Sequence, residues 1–327
     1  MSTDRTVSTD RTVSTVHTVF GPLAPWLVRR GPALPHEHLV LDLGRPQDRH
    51  AVLDAGPDTT AVTRELASLR EEFGLSLVVE LTCRGMGRDP AALARISRAS
   101  GVPVVAATGW YHEAFHPPEV ASGDVEELTG ILVREIEDGI GPTGIRPGVV
   151  GEAGTSGERP TEPERRALLA AAAAARATGL SVVTHARLGR GGQAQLDLLT
   201  GAGLPPHRVC LGHQDLLDDT AAHRRLAAAG AYVAFDTVGK EHYRPDADRL
   251  RLLLALLDAG HADRILLSCD VSRRAYLQAA GGHGYGHLLR DFLPRARAAG
   301  VDEDLVDLMT RRNVLRFLTG SECDEER

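Results

Sequence analysis

Lysine is almost missing from this chain: Lys240 is the only one, and arginine supplies the remaining basic residues. Positive charge is not in excess either, since the formal net charge is -7. That leaves no basic footprint for nucleic acid or an anionic membrane surface, and it points to small-molecule partners. Cysteine is scarce and scattered. Cys83, Cys210, Cys269 and Cys323 form no CxxC pair, which excludes the dense disulfide framework of small secreted domains and reads as reduced thiols. No apolar run approaches the roughly 18 to 20 residues of a membrane helix, and the N-terminus is polar where a signal peptide would be apolar. The expectation is a cytoplasmic protein. Also absent are a P-loop, a GxGxxG fingerprint and a Ser-His-Asp elbow, so phosphate-cradling and serine-nucleophile mechanisms find no motif.

What is there is ordinary globular composition, 43% hydrophobic and 25% charged over 327 residues, enough for a large core. The hexapeptide Ser2 to Val7 is repeated as Ser8 to Val13. Two such copies are too short and too polar to stack into a core. Residues 1–13 are therefore expected to be a disordered tail, with residues 14–327 forming one domain. Beyond the tail, short apolar runs alternate with helical patterns. Predicted strands are Leu34 to His38, Leu77 to Leu81, Val102 to Ala107, Gly148 to Gly151, Ser181 to Thr184, Arg208 to Leu211, Ala231 to Phe235 and Arg264 to Ser268. Predicted helices include Asp89 to Ser100, Val125 to Asp138, Glu162 to Thr178, Asp218 to Ala229 and Asp246 to Ala259. Thr161 with Glu164 reads as a capping box, and Gly179 as the stop of the helix it opens. Alternation of this kind implies parallel βαβ units, and eight strands predict a (β/α)8 TIM barrel; pattern alone leaves an open doubly wound sheet as the alternative.

Chemistry concentrates at strand ends. His36 and His38 lie two apart, a spacing that in a strand points both imidazoles to one face. Glu152, His185, His213 and Asp270 each fall at the C-terminal end of a predicted strand, and in a barrel those ends converge on one mouth. A lone histidine at a strand end would be a structural residue. Four histidines and two carboxylates at the same end of successive strands point instead to metal ligands. Imidazole and carboxylate without thiolate suit Zn2+, with Mn2+, Fe2+ or Co2+ as alternatives. Six ligands exceed one tetrahedral ion, so two divalent metal ions bridged by Glu152 are expected, with a hydroxide held between them and Asp270 as the catalytic proton acceptor.

These residues resemble the phosphotriesterase family of the amidohydrolase superfamily. Matching segments run from Thr18 to Pro22 through Pro35 to His38, Gly87 to Pro90, Ala107 to Tyr111, Gly151 to Ser156, Thr184-His185, Leu211 to His213, Phe235-Asp236, Gly239 to Glu241, Leu267 to Asp270 and Gly284 to His287, closing at Asn313. The resemblance implies a (β/α)8 barrel, a binuclear centre, ester hydrolysis and a homodimer. It assigns His36, His38 and Asp270 to the more buried metal, and His185 and His213 to the more exposed one. The chain departs from the family's efficient phosphotriesterases and lactonases, which bridge the metals with a carboxylated lysine where this chain has Glu152. It looks like the glutamate-bridged, phosphotriesterase-related branch, which includes enzymes acting on N-acyl amides. Lys240 is then expected either to reach the metals as a carbamate or to lie beside them as a cation; the competing expectation is a surface lysine paired with Glu241.

Trp110, Tyr111, His116, Arg187, Arg273, Arg274 and Tyr276 follow strand ends and are candidate pocket residues, the arginines as forks for a carboxylate or phosphate. The expected function is metal-dependent hydrolysis of a carboxylic ester, lactone or N-acyl amide of a small molecule. Phosphotriesterase or phosphodiesterase activity is the alternative within catalysis, and a non-catalytic small-molecule-binding barrel the alternative outside it.

Overall fold

The computed structural model describes residues 15–28, 31–46 and 48–320; the expected tail at 1–13 and Cys323 lie outside them. Eight parallel strands form one sheet in sequential order: β1 (Ala33–Glu37), β2 (Leu77–Glu80), β3 (Val104–Thr108), β4 (Val149–Thr155), β5 (Val182–Ala186), β6 (Val209–Leu211), β7 (Tyr232–Phe235) and β8 (Ile265–Leu267). The barrel closes where the β1 end meets the chain after β8: Asp270 N–H donates to the His36 carbonyl at 3.3 Å, and His36 N–H to Ser268 Oγ at 3.2 Å. The fold is a (β/α)8 TIM barrel, and an open doubly wound sheet is excluded.

Strand alternation sorts the apolar residues into two cores. Leu77, Val79, Val105, Ala107, Val149, Val183, Cys210, Tyr232, Ala234 and Leu266 fill the barrel interior, floored by Val314, Leu315, Phe317 and Leu318 of the closing helix. The residues between them in sequence, among them Val78, Val104, Val150, Val182, Val233, Phe235 and Leu267, face the surrounding helices. Those helices are α1 (Thr59–Phe73), α2 (Pro90–Ser100), α3 (Val125–Asp138), α4 (Glu162–Thr178), α5 (Gly192–Gly201), α6 (Thr220–Ala228) and α7 (Asp246–Asp258), followed by helical turns over 288–298 and 303–319.

Local sequence explains several boundaries. Thr161 and Glu164 form the reciprocal capping box of α4, and Gly179 ends it in the left-handed conformation at φ 75°. Asp219 caps α6 by accepting from Ala222 N–H at 2.9 Å. The leucine stripe of α7 turns Leu252, Leu253 and Leu256 fully into the outer core. Among the described residues, no helix is long and apolar enough to cross a membrane.

Candidate metal centre

The six residues converge at the C-terminal mouth of the barrel, around one carboxylate; Glu152 and His185 lie inside β4 and β5, because both strands run further than the apolar pattern predicted. Glu152 Oε1 lies 2.8 Å from His185 Nδ1, 3.0 Å from His213 Nε2 and 3.4 Å from His36 Nε2. Its other oxygen, Oε2, lies 3.6 Å from His38 Nε2. Asp270 Oδ1 completes the ring at 3.3 Å from His38 Nε2 and 3.9 Å from His36 Nε2. All but His185 are buried, and its side chain is only 12% exposed. His213 and Asp270 both take positive φ, 57° and 49°, a conformation rare for residues with a Cβ. In each, the chain has just left its strand.

Behind the six stand residues that aim them. Asp236, fully buried, accepts from His36 Nδ1 at 2.6 Å with one oxygen, and from His213 Nδ1 at 2.9 Å and its backbone N–H at 2.8 Å with the other. With their Nδ1 protons so engaged, both rings present Nε2 to Glu152. His38 is held differently: its Nδ1 meets Thr82 Oγ1 at 2.9 Å, and Thr82 donates to Glu80 at 2.5 Å. Glu37, between the two β1 histidines, points the other way. Its carboxylate accepts from Ser268 Oγ, Cys269 N–H and Val271 N–H, each at 2.8 Å, and so grips the chain on both sides of Asp270.

The electrostatics follow from burial set against this pairing. Burial opposes charge on His213, but Asp236 and Glu152 overcome it and push the ring up to about 10; His36 is raised in the same way. His185, with desolvation and the neighbouring His213 against it, is lowered. Burial also opposes charge on Glu152 and Asp270. Surrounding histidines, and for Asp270 foremost Lys240, hold both well below the usual carboxylate range. Glu37 and Glu80, buried with fewer compensating charges, are each pushed up to about 7.

Lys240 is 3% exposed and is not a surface lysine paired with Glu241. Its Nζ donates to Asp270 Oδ2 and, at 3.1 Å, to Ser272 Oγ, and it lies 5.3 Å from the centre of the Tyr276 ring. Of the candidate pocket residues, Tyr111 reaches the cluster, its hydroxyl 3.2 Å from both ring nitrogens of His185. Tyr276 stands over Lys240 and meets His242 Nε2 at 3.1 Å. Trp110 is buried in the outer core with Nε1 toward Glu119, His116 bonds the Tyr111 carbonyl at 2.7 Å, and Arg274 pairs with Asp58 at 2.6 Å. Arg273 lies 5.3 Å over the Tyr276 ring while pairing with Asp48 at 3.0 Å, and Arg187 opens a short turn directly after β5. Cys269, beside Asp270, packs away from the cluster against the Tyr285 carbonyl.

The cluster has the donor chemistry of a cation site. His185 Nδ1 and His213 Nε2 are only 2.8 Å apart, and His36 Nε2 is buried without a hydrogen-bond partner. Imidazole nitrogens forced together around carboxylate oxygens are what a shared positive ion accommodates. Among the described residues three overlapping sets, His36, His38 and Glu152; Glu152, His185 and His213; and His36, His213 and Asp236, each have their ligand atoms within 4.8 Å of one another. Glu152 belongs to the first two, and Asp236 in the third is the residue that accepts from both rings.

Fold and site together define a TIM-barrel protein with a histidine and carboxylate centre at its mouth, the architecture of barrel metallohydrolases. Residues 14–318 match the model of the phosphotriesterase family. The chain is 40% identical over 288 residues to the phosphotriesterase homology protein of Escherichia coli (strain K12), covering 88% of this chain and 97% of that one. It is 33% identical over 281 residues to the human N-acetyltaurine hydrolase, covering 82% and 79%. Among solved structures, the E. coli protein with phosphate in its active site superposes with a TM-score of 0.85 at 39% identity, over 88% of this chain and 99% of that one. A lactonase from Listeria monocytogenes superposes with a TM-score of 0.86 at 26% identity, over 93% and 99%. The chain belongs to the phosphotriesterase family of hydrolases.

Proposed function

We propose that this protein is a binuclear metal-dependent hydrolase that cleaves an N-acyl amide or carboxylic ester whose substrate carries an anionic group. The observation that carries the reading is the placement of Glu152, with one oxygen among His36, His185 and His213 and the other toward His38. His36, His38 and Asp270 would hold one divalent ion, His185 and His213 the other, and Glu152 both; zinc is the first candidate. Such ions supply an activated water and polarise the scissile carbonyl. Asp270, with Oδ2 on Lys240 and Oδ1 toward the cluster, would take the proton of the attacking water and return it to the leaving amine or alkoxide. Tyr111, hydroxyl against His185, bounds the pocket on the β3 side.

The anionic substrate group follows from Lys240. A buried ammonium at the mouth, with Tyr276 over it and the Arg273 guanidinium on the same ring, favours a carboxylate, sulfonate or phosphate at the substrate's far end. A neutral lactone or phosphotriester would leave the ammonium with Asp270 and Ser272 as its only partners.

The test is turnover of N-acyl amino acids and N-acyl aminosulfonates against neutral lactones and aryl phosphotriesters, with metal content measured alongside. Anionic amides should be turned over with the higher kcat/KM, and His185→Asn should abolish turnover. Activity that survives His185→Asn, or a preference for neutral triesters, would remove the reading.

A further inference from the structure

Among the described residues Arg249 is the largest charged side chain that is fully buried, at 0% exposure, and its hydrogen bonds go to residues other than the six of the cluster. A guanidinium taken wholly out of water costs several kcal/mol unless its donors are paired, and replacing such a group by apolar packing is often neutral or better for stability. This one is completely paired. Nε donates to Asp215 at 2.7 Å; one terminal nitrogen donates to Asp246 at 2.9 Å and to the Arg244 carbonyl; the other donates to Thr237 Oγ1 at 3.0 Å and the Lys240 carbonyl at 3.1 Å. Five donors find five acceptors, the full capacity of the group.

Three of those five acceptors belong to the loop between β7 and α7, which has no regular structure from 236 to 245. The carboxylates that neutralise Arg249 hold the same loop. Asp246 accepts from Gly239 N–H at 3.0 Å and meets His287 Nε2 at 2.7 Å, and Asp215 accepts from Thr237 Oγ1 at 2.5 Å. The Lys240 backbone is thus pinned through its own carbonyl and through Gly239 before it. Gly239 has φ +91°, and a Cβ there would come within 2.9 Å of both His283 and His287, so the loop has little room to settle elsewhere.

We propose that Arg249 is a positioning residue: it fixes the loop so that Lys240 enters the mouth beside Asp270, and through Lys240 it selects substrates bearing an anion. The substrate half of this rests on the function proposed above, whereas the positioning half does not. A lysine at 249 could satisfy one or two of the acceptors, but it lacks the planar fork that spans Asp215, Thr237 and two carbonyls.

Lys240 being the only lysine makes the test direct, because an amine-acylating reagent has one side-chain target and peptide mass spectrometry separates it from the N-terminal amine. In the metal-loaded wild-type protein Lys240 should be protected. In Arg249→Met its acylation rate should rise at least tenfold while the protein still melts cooperatively. KM for an N-acyl amino acid should rise about tenfold, with a smaller change in kcat and no change in KM for a neutral lactone. Should Arg249→Met fail to fold, Arg249→Lys, which retains a charge for Asp215, serves in its place with Lys240 followed on its own peptide. Wild-type protection of Lys240 in a folded variant overturns the proposal. Deprotection with unchanged KM for both substrates upholds the positioning and instead sinks the anionic-substrate reading.

Discussion

Replacing Asp236 by asparagine is the most informative perturbation of the centre, because one carboxylate serves two rings. Asparagine keeps the shape but has one acceptor oxygen and one amide donor. The oxygen is best placed toward His213, where it meets two donors, Nδ1–H at 2.9 Å and the backbone N–H at 2.8 Å. The amide then faces His36 Nδ1, now 2.6 Å from a carboxylate oxygen. Donating there, it would force the His36 proton onto Nε2, the atom that points at Glu152. One ligand lone pair is lost outright. His213 keeps a weaker, uncharged acceptor. Changes of this kind cost about 10- to 100-fold in metal affinity, or about 1.4 to 2.7 kcal/mol. Because the proposed function assigns His36 to one ion and His213 to the other, both metal positions should weaken. The assay is metal content by mass spectrometry after dialysis against graded chelator, with the thermal melt as a folding control. A folded Asp236→Asn variant that retains two equivalents at wild-type chelator concentrations would refute the argument that Asp236 sets both rings.

Other perturbations separate neighbouring roles. Thr82→Val removes the hydroxyl that His38 Nδ1 meets and should weaken one metal position, leaving the His185 and His213 side intact; the same titration, showing loss of one equivalent before the other, checks it. Glu135, with Arg84, Arg88 and Thr108 around it, is held below the usual carboxylate range despite burial that works against its charge. Its contribution is therefore fully present above the ordinary glutamate value of about 4.3 and lost as pH falls through the lower folded value. Glu135→Gln should cost on the order of 2 kcal/mol in urea melts at pH 7, discounted for the partly exposed Arg84, and the gap to wild type should shrink below about pH 4. Phe235→Ala, in the outer core at 0% exposure, should cost about 3 to 5 kcal/mol in the same melts, with metal content unchanged in the folded fraction.

The barrel and the six clustered residues were legible because both rest on local pattern. Apolar runs with helical segments between them define the strands, and residues at strand ends must meet once the sheet closes. What supports those residues was legible only in part. Asp236 keeps the parity of Tyr232 and Ala234, which face the barrel interior, so carrying the alternation one step past β7 would have found it. Glu37 is harder to read, since its partners, Ser268, Cys269 and Val271, become neighbours only through closure of β1 on β8. The pocket arginines are less readable. Position after β8 put Arg273 and Arg274 over the mouth; Arg273 does lie on the Tyr276 ring there, and Asp48 and Asp58, from the segment before α1, pair with the two guanidinium groups. A single sequence carries no sign of which carboxylate will win an arginine.

Lys240 lies between these cases, and the physical reason bears on how the site works. Its sequence position, just after β7, fixes only that it stands near the mouth. Whether it faces solvent or Asp270 depends on a loop without regular structure, and that loop is set by a buried guanidinium nine residues further on. The six clustered residues need only the strands and the turns just past them, which the barrel supplies through backbone hydrogen bonding. The cation beside them needs a polar network in which every donor is satisfied, because a half-satisfied one would cost more than an apolar core. The centre is thus held by two kinds of structure: the sheet, tolerant of substitution so long as alternation is kept, and the Arg249 network, in which loss of one partner strands the rest. Variation in substrate preference among barrels of this kind should accordingly be reached through the second more readily than the first.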